Sequence, residues 1–405
     1  MNRALFAGLA GTITNQTRLD TIGNNLANSN TIGFKQSRAT FRDTFYQTLR
    51  GGSASSADSG GMNPIQVGSG NSLGSIQTIY AQGSLASTGQ PLDIAIEGSG
   101  MFVLRDGESR YFTRDGSFSL DDAHTLVSAQ SGMRVAGWMA TDGVIDPTQP
   151  LGDLQFPLGQ LSSGDATSQV TMSGNLRADA AVGDEIVSAI EVYDSLSSAH
   201  QLTVTMTKNA ADNTYDVEVE CEGATATGQI TFDALGVLAG GSPVSLSFDP
   251  GGGATSPQAV AVDFSEVTQL ARDADAIART QDGRPAAALM DVSIQENGVV
   301  QGNYSDGRQV TLGQVALAAF SNIGGLERNG NNVYSEGAAS GDVLIGLADS
   351  GGRGKIVAQA LELSNVDLTE AFVDMISTQR AFQASTRVIS AADKLLEEVM
   401  RLARS

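Results

Sequence analysis

The chain has 405 residues, of which 24 are basic and 45 acidic, so its net charge is −21. This length corresponds to two or three domains at about 150 residues each. Apolar residues make up 41%, which is enough for packed cores and excludes wholesale disorder. No window approaches the about 20 apolar residues of a membrane span, and the acidic surplus repels phosphate backbones. We therefore expect neither membrane insertion nor a nucleic acid partner.

The charge is distributed unevenly along the sequence. Residues 1–50 hold six basic and two acidic groups, and residues 353–405 hold seven of each. These counts leave a net charge of −25 on residues 51–352. Such an acidic middle suits a surface that faces water, whereas near-neutral ends suit packing against copies of themselves.

Residues 3–28 have the pattern of one amphipathic helix, because apolar residues recur every three or four positions. The positions on this face are Phe6, Leu9, Ile13, Leu19, Ile22 and Leu26. Asparagines and Gly33 then end the pattern. The basic start followed by a short apolar run is also typical of a secretory signal. However, the stripe continues beyond that run without a small-residue cleavage site, so we expect no cleaved signal peptide.

Apolar residues resume over 34–50, where Phe41 and Phe45 lie four positions apart. This spacing favours a side-chain pair on a helix. The run 51–61 consists mainly of Gly, Ser and Ala, a composition typical of a flexible linker.

From residue 62 to about 350 the sequence predicts mostly short strands. Segments such as 101–104 and 111–113 are rich in β-prone residues and are separated by turn residues. An alternating strand at 202–207, the turn at Asp212-Asn213 and a second strand at 215–219 predict a β-hairpin. The predicted fold class is therefore mainly β with long terminal α-helices.

Residues 361–403 have the pattern of a second long helix, in which an alternating four-and-three spacing forms a heptad seam. Ser364 or Asn365 can cap its start. The seam positions are Leu368, Phe372, Met375, Gln379, Phe382, Thr386, Ile389, Asp393, Leu396 and Met400. Each terminal helix thus has an apolar stripe that needs a partner. Pairing within one chain and pairing between copies both satisfy this need, and the pattern leaves both open.

The motifs of the chain form no coherent catalytic set. Residues 70–74 fit the Gly-x-Ser-x-Gly pattern of hydrolases, but a strand is predicted where that motif needs a helix. Residues 352–355 lack the first glycine and the Ser or Thr of a phosphate-binding loop. His124 and His200 have positions typical of surface turns, and Cys221 is the single cysteine. We therefore expect no catalytic residue, no cofactor, no metal site and no enzyme.

Two terminal motifs, 24–35 and 363–382, closely resemble the signature of the bacterial flagellar rod and hook family. The signature positions are Asn24, Asn25, Leu26, Ala27, Asn28, Thr31, Gly33, Phe34, Lys35, Ser364, Asn365 and Val366. Between them, residues 93–102, 192–204 and 298–307 resemble the β domains of this family and fit its hook members best.

The resemblance implies two β-rich domains, one inserted in the other, beside a helical coiled-coil region. The implied helical core comprises 1–35 and 360–405, with linking segments 36–70 and 353–359. The implied inner β domain comprises 71–145 and 283–352, and the inserted outer β domain comprises 146–282.

The resemblance also implies a structural subunit that polymerises into a hollow, curved tube, a universal joint that links rod to filament and transmits torque. The terminal helices would form its inner layer, with the stripe of the first helix against the seam of the second. The implied partners are other copies, the distal rod protein, the hook cap, the hook–filament junction protein and the flagellar type III export apparatus. Export without a cleaved signal would place the subunit outside the cell. Phe41 and Phe45 have the Phe-x-x-x-apolar spacing associated with recognition by the export gate.

Three other functions stay open at this point. A distal rod protein is the nearest alternative, although the 146–282 insertion argues against it. A hook-associated junction protein of the same family is the next. A Gly-x-Ser-x-Gly hydrolase is the remote one.

Overall fold

The computed structural model describes residues 2–54, 60–141, 143–162 and 164–402. The helices are Asn2–Ala27 (α1) and Leu368–Leu402 (α2), and 3-10 turns lie at Glu296–Gly298 and Ile323–Gly325. The first strands are β1 (Ser37–Asp43), β2 (Tyr46–Arg50), β3 (Ile65–Gly68), β4 (Asn71–Thr78), β5 (Leu85–Ser87), β6 (Ile94–Glu97), β7 (Met101–Asp106), β8 (Ser109–Thr113), β9 (Phe118–Leu120), β10 (Leu126–Ser128), β11 (Arg134–Met139) and β12 (Gly152–Asp153). The next are β13 (Leu161–Ser162), β14 (Gln169–Arg177), β15 (Glu185–Tyr193), β16 (Ala199–Lys208), β17 (Thr214–Cys221), β18 (Ala224–Phe232), β19 (Leu238–Gly240), β20 (Val244–Phe248), β21 (Gln258–Leu270) and β22 (Ile277–Gln281). The last are β23 (Ala287–Ile294), β24 (Val299–Tyr304), β25 (Gln309–Val315), β26 (Leu317–Phe320), β27 (Glu327–Arg328), β28 (Val333–Ser335), β29 (Val343–Gly346), β30 (Lys355–Ala358) and β31 (Ala360–Glu362).

The chain forms two compact units. Unit 1 comprises Met1–Phe156, Val292–Gly302 and Gln309–Ser405, and therefore contains both helices. Unit 2 comprises Pro157–Asp291 and Asn303–Arg308. The predicted fold class, mainly β with terminal helices, is confirmed.

Unit 1 is built on a sheet in which β7 pairs with β8 on one side and with β11 on the other, both antiparallel. Its apolar core includes Met101, Val103, Phe112, Trp138 and Tyr334. Outside this sheet, β5 pairs with β31 and β6 pairs with β30. These two pairs join the chain just before α2 to the strands that follow the N-terminal region.

Unit 2 contains two sheets that share one apolar core. One has the order β20-β21-β14-β22, and the other runs from β15 to β19 in chain order. Residues of β17 alternate between buried and exposed, so one face packs inward and the other faces solvent. The predicted hairpin is present: β16 pairs antiparallel with β17, and Asn213 in the turn has a φ of 52°.

Residues 37–43 and 46–50 form strands, so the helical pair expected from Phe41 and Phe45 is wrong. Phe41 lies in β1 and is half-buried, whereas Phe45 follows β1 and is 75% exposed. The β1–β4 ladder gives this backbone hydrogen-bond partners along seven residues, which outweighs a helical spacing of two side chains. The predicted linker lies between the paired strands β2 and β3, where Ser53 bridges Met62, and residues 55–59 of it lie outside the described residues.

The second helix begins at Leu368 rather than at residue 361. Asp367 caps it, because its Oδ1 accepts hydrogen bonds from the N–H groups of Thr369 (2.7 Å) and Glu370 (3.1 Å). The expected cap Asn365 is engaged elsewhere: its side chain bonds backbone groups of the N-terminal region. The segment between 360 and 362 forms β31 instead of a first helical turn.

His200 is buried, which corrects its assignment as a surface turn residue. Its Nδ1 lies 3.0 Å from Oε1 of Glu222, and its Nε2 lies 3.2 Å from Oδ2 of Asp194. The edge of Phe248 packs against the imidazole ring. The bond to Glu222, helped by Asp194, outweighs burial and raises the pKa of His200 above its ordinary value of 6.5.

We predict that charged His200 stabilises unit 2. Because the folded-state pKa is raised, this stabilisation is complete below pH 6.5 and is lost as the pH rises through the folded-state pKa. The difference in unfolding free energy between the wild type and His200→Gln, measured by urea titration, should shrink as the pH rises. A His124→Gln variant at a turn is the matched control. A difference that stays constant across this range would contradict the prediction.

Candidate functional site

The two terminal helices pair antiparallel within one chain. Gly8, near the start of α1, lies against Val388 and Ile389 in the second half of α2. Further along α1, Nη2 of Arg18 lies 3.1 Å from Oδ2 of Asp374, near the start of α2. Of the two arrangements left open by the sequence, pairing within one chain is therefore observed.

Small side chains line the seam between α1 and α2. Thr378 and Ala392 are buried, and Ser385 lies midway between them, in one heptad row of α2. On α1, a Cβ atom at Gly11 would lie 2.9 Å from Oγ of Ser385. Because Cβ of Ser385 would lie at 3.6 Å, an alanine at Gly11 would fit only if the Ser385 hydroxyl turned away.

The large apolar residues predicted for self-assembly are divided between this seam and the outward face of the helical pair. Phe6, Leu9 and Ile13 of α1 are 59%, 46% and 57% exposed although α1 is already paired. On α2, Gln379 is exposed and its neighbour Thr378 occupies the seam. The other predicted positions are exposed at Leu368 and Phe372, half-buried at Leu19, Leu26, Met375, Phe382, Ile389 and Leu396, and buried at Ile22.

The helical pair therefore has two chemically different faces. The in-chain seam has Thr378 and Ala392 as its fully buried positions on α2, and Ile389 packs against Gly8 of α1. The outward face presents large apolar side chains, each worth roughly 1.5–3 kcal/mol when fully buried. Exposed large apolar side chains at three- and four-residue spacing, as at Phe6, Leu9 and Ile13, mark an interaction surface.

Two signature asparagines, one near the end of α1 and one just before α2, form hydrogen bonds with neighbouring backbone groups. Asn25 exchanges two hydrogen bonds with Ser37: its Nδ2 donates to the carbonyl oxygen (2.7 Å), and its Oδ1 accepts from the N–H (2.9 Å). Asn365 accepts from the N–H of Gln36 (2.8 Å) and donates to the carbonyl oxygen of Ile79 (2.8 Å). Because each amide serves both a donor and an acceptor, replacing it would leave backbone groups unpaired.

A buried ionic cluster joins both ends of the chain to the β strands of unit 1. Nζ of Lys35 donates to Oε1 of Glu362 at 2.6 Å, and Nη1 of Arg114 lies 3.4 Å from Oε2 of Glu362. The Lys35 and Glu362 side chains have no exposed surface, and Arg114 has 3%. Burial lowers the pKa of Lys35 and that of Arg114, because a dry environment disfavours their charged forms. The backbone N–H of Gly83 donates to the same carboxylate at 2.8 Å.

The signature glycine brings the N-terminal segment against this cluster. Gly33 has a φ of 68°, and a Cβ atom there would lie 2.8 Å from the backbone nitrogen of Asp115. Its N–H donates to the carbonyl oxygen of Glu362 at 2.7 Å. The adjacent Phe34 is buried, with the guanidinium of Arg328 over its ring. Only glycine combines this conformation with this close approach.

The remaining signature residues lie in or beside the turns next to the helices. Oγ1 of Thr31 donates to Oδ1 of Asn28 at 3.1 Å, which closes the turn after α1. Asn24 and Ala27 are exposed, and Leu26, Asn28, Thr31, Ser364 and Val366 are half-buried. The sequence pattern gave no role to Arg114, which lies far from either signature and became visible only through its contact with Glu362.

In the two motifs considered for hydrolysis and for phosphate binding, the key side chains form hydrogen bonds to neighbouring groups of the protein. Ser72 lies in β4, and its Oγ accepts a hydrogen bond from Nε of Arg42 at 3.3 Å. Arg353 donates through Nε to the carbonyl oxygen of Leu347 at 2.8 Å. Among the described residues, no group of three or more His, Cys, Asp or Glu is arranged to hold a metal ion. A separate search of these residues finds no helix with the length and hydropathy of a membrane span.

Four families of flagellar proteins match successive parts of the chain. They are the flagella basal body rod protein (residues 7–35), the flagellar hook protein FlgE/F/G D1 domain (95–177), the flagellar basal body protein FlaE D2 domain (141–284) and the flagellar basal body rod FlgEFG protein C-terminal (357–402).

Full-length relatives extend these matches. The flagellar hook protein FlgE of Treponema pallidum is 37% identical over 463 residues, which cover 100% of both chains. FlgE of Salmonella typhimurium is 32% identical over 95% of this chain and 96% of its own. The basal-body rod protein FlgG of Bacillus subtilis is 29% identical over 100% of both chains. The crystal structure of Helicobacter pylori FlgE2 has a TM-score of 0.52 at 15% identity, covering 68% of this chain and all of that chain, which is a likeness of fold alone.

These matches define a structural component of the bacterial flagellum. The full-length identities place the chain in the flagellar hook protein family, FlgE, to which it belongs. It is a structural, self-polymerising subunit of the hook and not an enzyme. The resemblance found in the terminal motifs is thereby confirmed, and the hydrolase alternative is wrong.

We predict that Glu362→Gln destabilises unit 1 by about 3–5 kcal/mol, because it leaves two buried cations without a carboxylate. Urea unfolding followed by fluorescence of the single Trp138 measures this effect. The control is Glu370→Gln, the same change at an exposed position of α2. Equal stabilities of the two variants would show that the cluster contributes nothing.

Proposed function

We propose that copies of this chain polymerise through the outward faces of their α1–α2 pairs, which form the inner layer of a hollow tube. One observation carries the proposal: Phe6, Leu9 and Ile13 stay exposed after α1 has paired with α2. Pairing within the chain therefore does not satisfy the apolar stripe, and further copies are the partners whose helices carry the same kind of face. Contacts that repeat head to tail without closing build a helical tube.

The charge distribution supports this arrangement. The helical ends are close to neutral, so stacking many copies of them accumulates little like charge. We therefore assign the helical core to 1–35 and 360–405 and the linking segments to 36–70 and 353–359. The inner β domain (71–145 and 283–352) and the inserted outer β domain (146–282) carry the acidic charge on the outside of the tube.

The position of the hook between the rod and the filament implies further partners for this subunit. We propose contacts with the distal rod protein at one end, the hook–filament junction protein at the other, and the hook cap during growth. Export by the flagellar type III apparatus without a cleaved signal then delivers the subunit outside the cell. The chain cannot form an internal disulfide, which suits passage in an unfolded state.

We predict that the double variant Phe6→Ser and Ile13→Ser folds as the wild type does but polymerises poorly. Loss of two apolar contacts per copy should raise the critical concentration for tube formation at least about tenfold, since each tenfold step needs only ~1.4 kcal/mol. Electron microscopy and sedimentation measure tubes, and circular dichroism of the monomer measures helix content.

The matched control for this variant is Gln16→Ser with Asp20→Ser, two exposed polar positions further along α1. It should form tubes at the wild-type concentration. Unchanged assembly by the Phe6 and Ile13 variant would exclude the outward face as the contact between copies.

We also propose that Phe41 and Phe45 act in recognition by the export gate. Phe45 contributes little to packing, because it is 75% exposed. We predict that Phe45→Ala lowers secretion into the culture medium several-fold and leaves assembly of the purified chain unchanged. Tyr46→Ala, also exposed, is the control. Equal secretion of both variants and the wild type would contradict this role.

A further inference from the structure

Three arginines stand side by side on neighbouring strands of unit 1. Arg105 of β7 lies opposite Arg110 of β8 on one side and opposite Arg134 of β11 on the other. Residues directly opposite each other on antiparallel strands project from the same face, where like charges are destabilising. We call Arg105, Arg110 and Arg134 the arginine row. Three of only 24 basic side chains are thus concentrated in an acidic protein, at a cost in stability.

Only part of this positive charge is balanced locally. Asp153 lies between two members of the row, 3.2 Å from Nη1 of Arg105 and 2.9 Å from Nη1 of Arg134. Arg110 is exposed and has no hydrogen-bond or ion-pair partner among the described residues. Asp106 and Glu108, in the turn beside it, are exposed and leave Arg110 unpaired. A free, planar guanidinium therefore faces solvent, and this group is well suited to binding carboxylates.

A complementary row lies on the solvent face of β17 in unit 2. Asp216, Glu218 and Glu220 alternate with buried residues and so project from one face. Asp216 accepts hydrogen bonds from Nδ2 of Asn209 (2.6 Å) and Nε2 of Gln229 (2.9 Å). Glu218 and Glu220 have threonines opposite them on β16 and β18, and within the described chain neither carboxylate forms an ion pair. We call these three residues the acidic row.

We propose that the arginine row of one copy docks on the acidic row of a second copy. The inference rests on complementary charge, because Arg110 in one row and Glu218 and Glu220 in the other are exposed and form no ion pair among the described residues. Every copy of the chain carries both rows. Because the rows lie in different units, the contact is heterologous: each copy offers one row to the copy ahead and the other to the copy behind. The inference rests on the proposed polymerisation and adds a polar contact between β domains to the apolar contact between helices.

Charge reversal tests the pairing in full-length chains at low ionic strength. Arg110→Glu alone places Glu against Glu and Glu218→Arg alone places Arg against Arg, so each should raise the critical concentration about fivefold or more. The chain that carries both changes should assemble as the wild type does. A one-to-one mixture of the two single variants should also assemble, because alternating copies restore both contacts. Arg279→Glu, an exposed reversal on β22, is the control for net charge.

The outcomes separate the inference from the proposed function. Sedimentation of the soluble chains measures association between copies even when no tubes form. A wild type that forms no tubes would count against the proposed function. The effect of the charge reversals on association would still test the inference. Rescue by both the double variant and the mixture supports docking between copies. Rescue by the double variant alone would place the contact within one chain and overturn the inference. Single reversals that behave like Arg279→Glu, or the lack of any rescue, would overturn it as well.

Discussion

The arrangement of both chain ends depends on the buried cluster of Lys35, Glu362 and Arg114. An unpaired charge in such a dry place costs several kcal/mol, so each of these side chains can be buried only when the others are present. Lys35 and Glu362 are 327 positions apart in sequence. Their pairing therefore requires that the segments beside α1 and α2 meet, and it makes the burial of one end conditional on the other. Asn25, Asn365 and Gly33 fix the same junction through backbone hydrogen bonds and a close approach that needs glycine.

This junction explains why the helical pair needs few large side chains that are fully buried. On α2 the fully buried positions are the small residues Thr378 and Ala392, and an isolated pair of such helices would be marginal in water. The ionic cluster and the two asparagines fix the end of α1 and the start of α2, so the packing in the seam need contribute little stability by itself. Large apolar side chains are then free for the outward face. A chain that used Phe6, Leu9 and Ile13 for its own pairing would have no large apolar side chains exposed on this part of α1 for other copies.

The sequence predicted the long-range periodic features well and the junction poorly. Both helices, their apolar stripes and the hairpin at Asn213 follow from local spacing, which is visible without knowledge of contacts. The start of α2 was missed because Glu362, at a position compatible with a helix, is bound to Lys35 and Arg114 in a strand. One of the two predicted seam rows, that of Phe372 and Gln379, was displaced by one residue, because the buried positions of that row are the small residues Thr378 and Ala392. His200 was misjudged for a similar reason: its carboxylate partners come from two different turns, and no spacing rule connects them.

Charge then distinguishes the two kinds of contact that a polymer of this chain needs. The contacts that we propose between the near-neutral helical ends would be apolar, would gain from burial and would depend little on salt. Contacts between the acidic β domains work against the repulsion of a segment that carries −25, so each requires a local excess of positive charge. The arginine row supplies that excess at one place, where Arg110 remains unpaired. Exposed ion pairs are individually weak and exchange readily with water, whereas apolar helix packing is dense and resists displacement. The tube that we propose, with dense packing inside and weak pairs outside, would keep its inner layer continuous while its outer contacts break and re-form, as a bending joint requires.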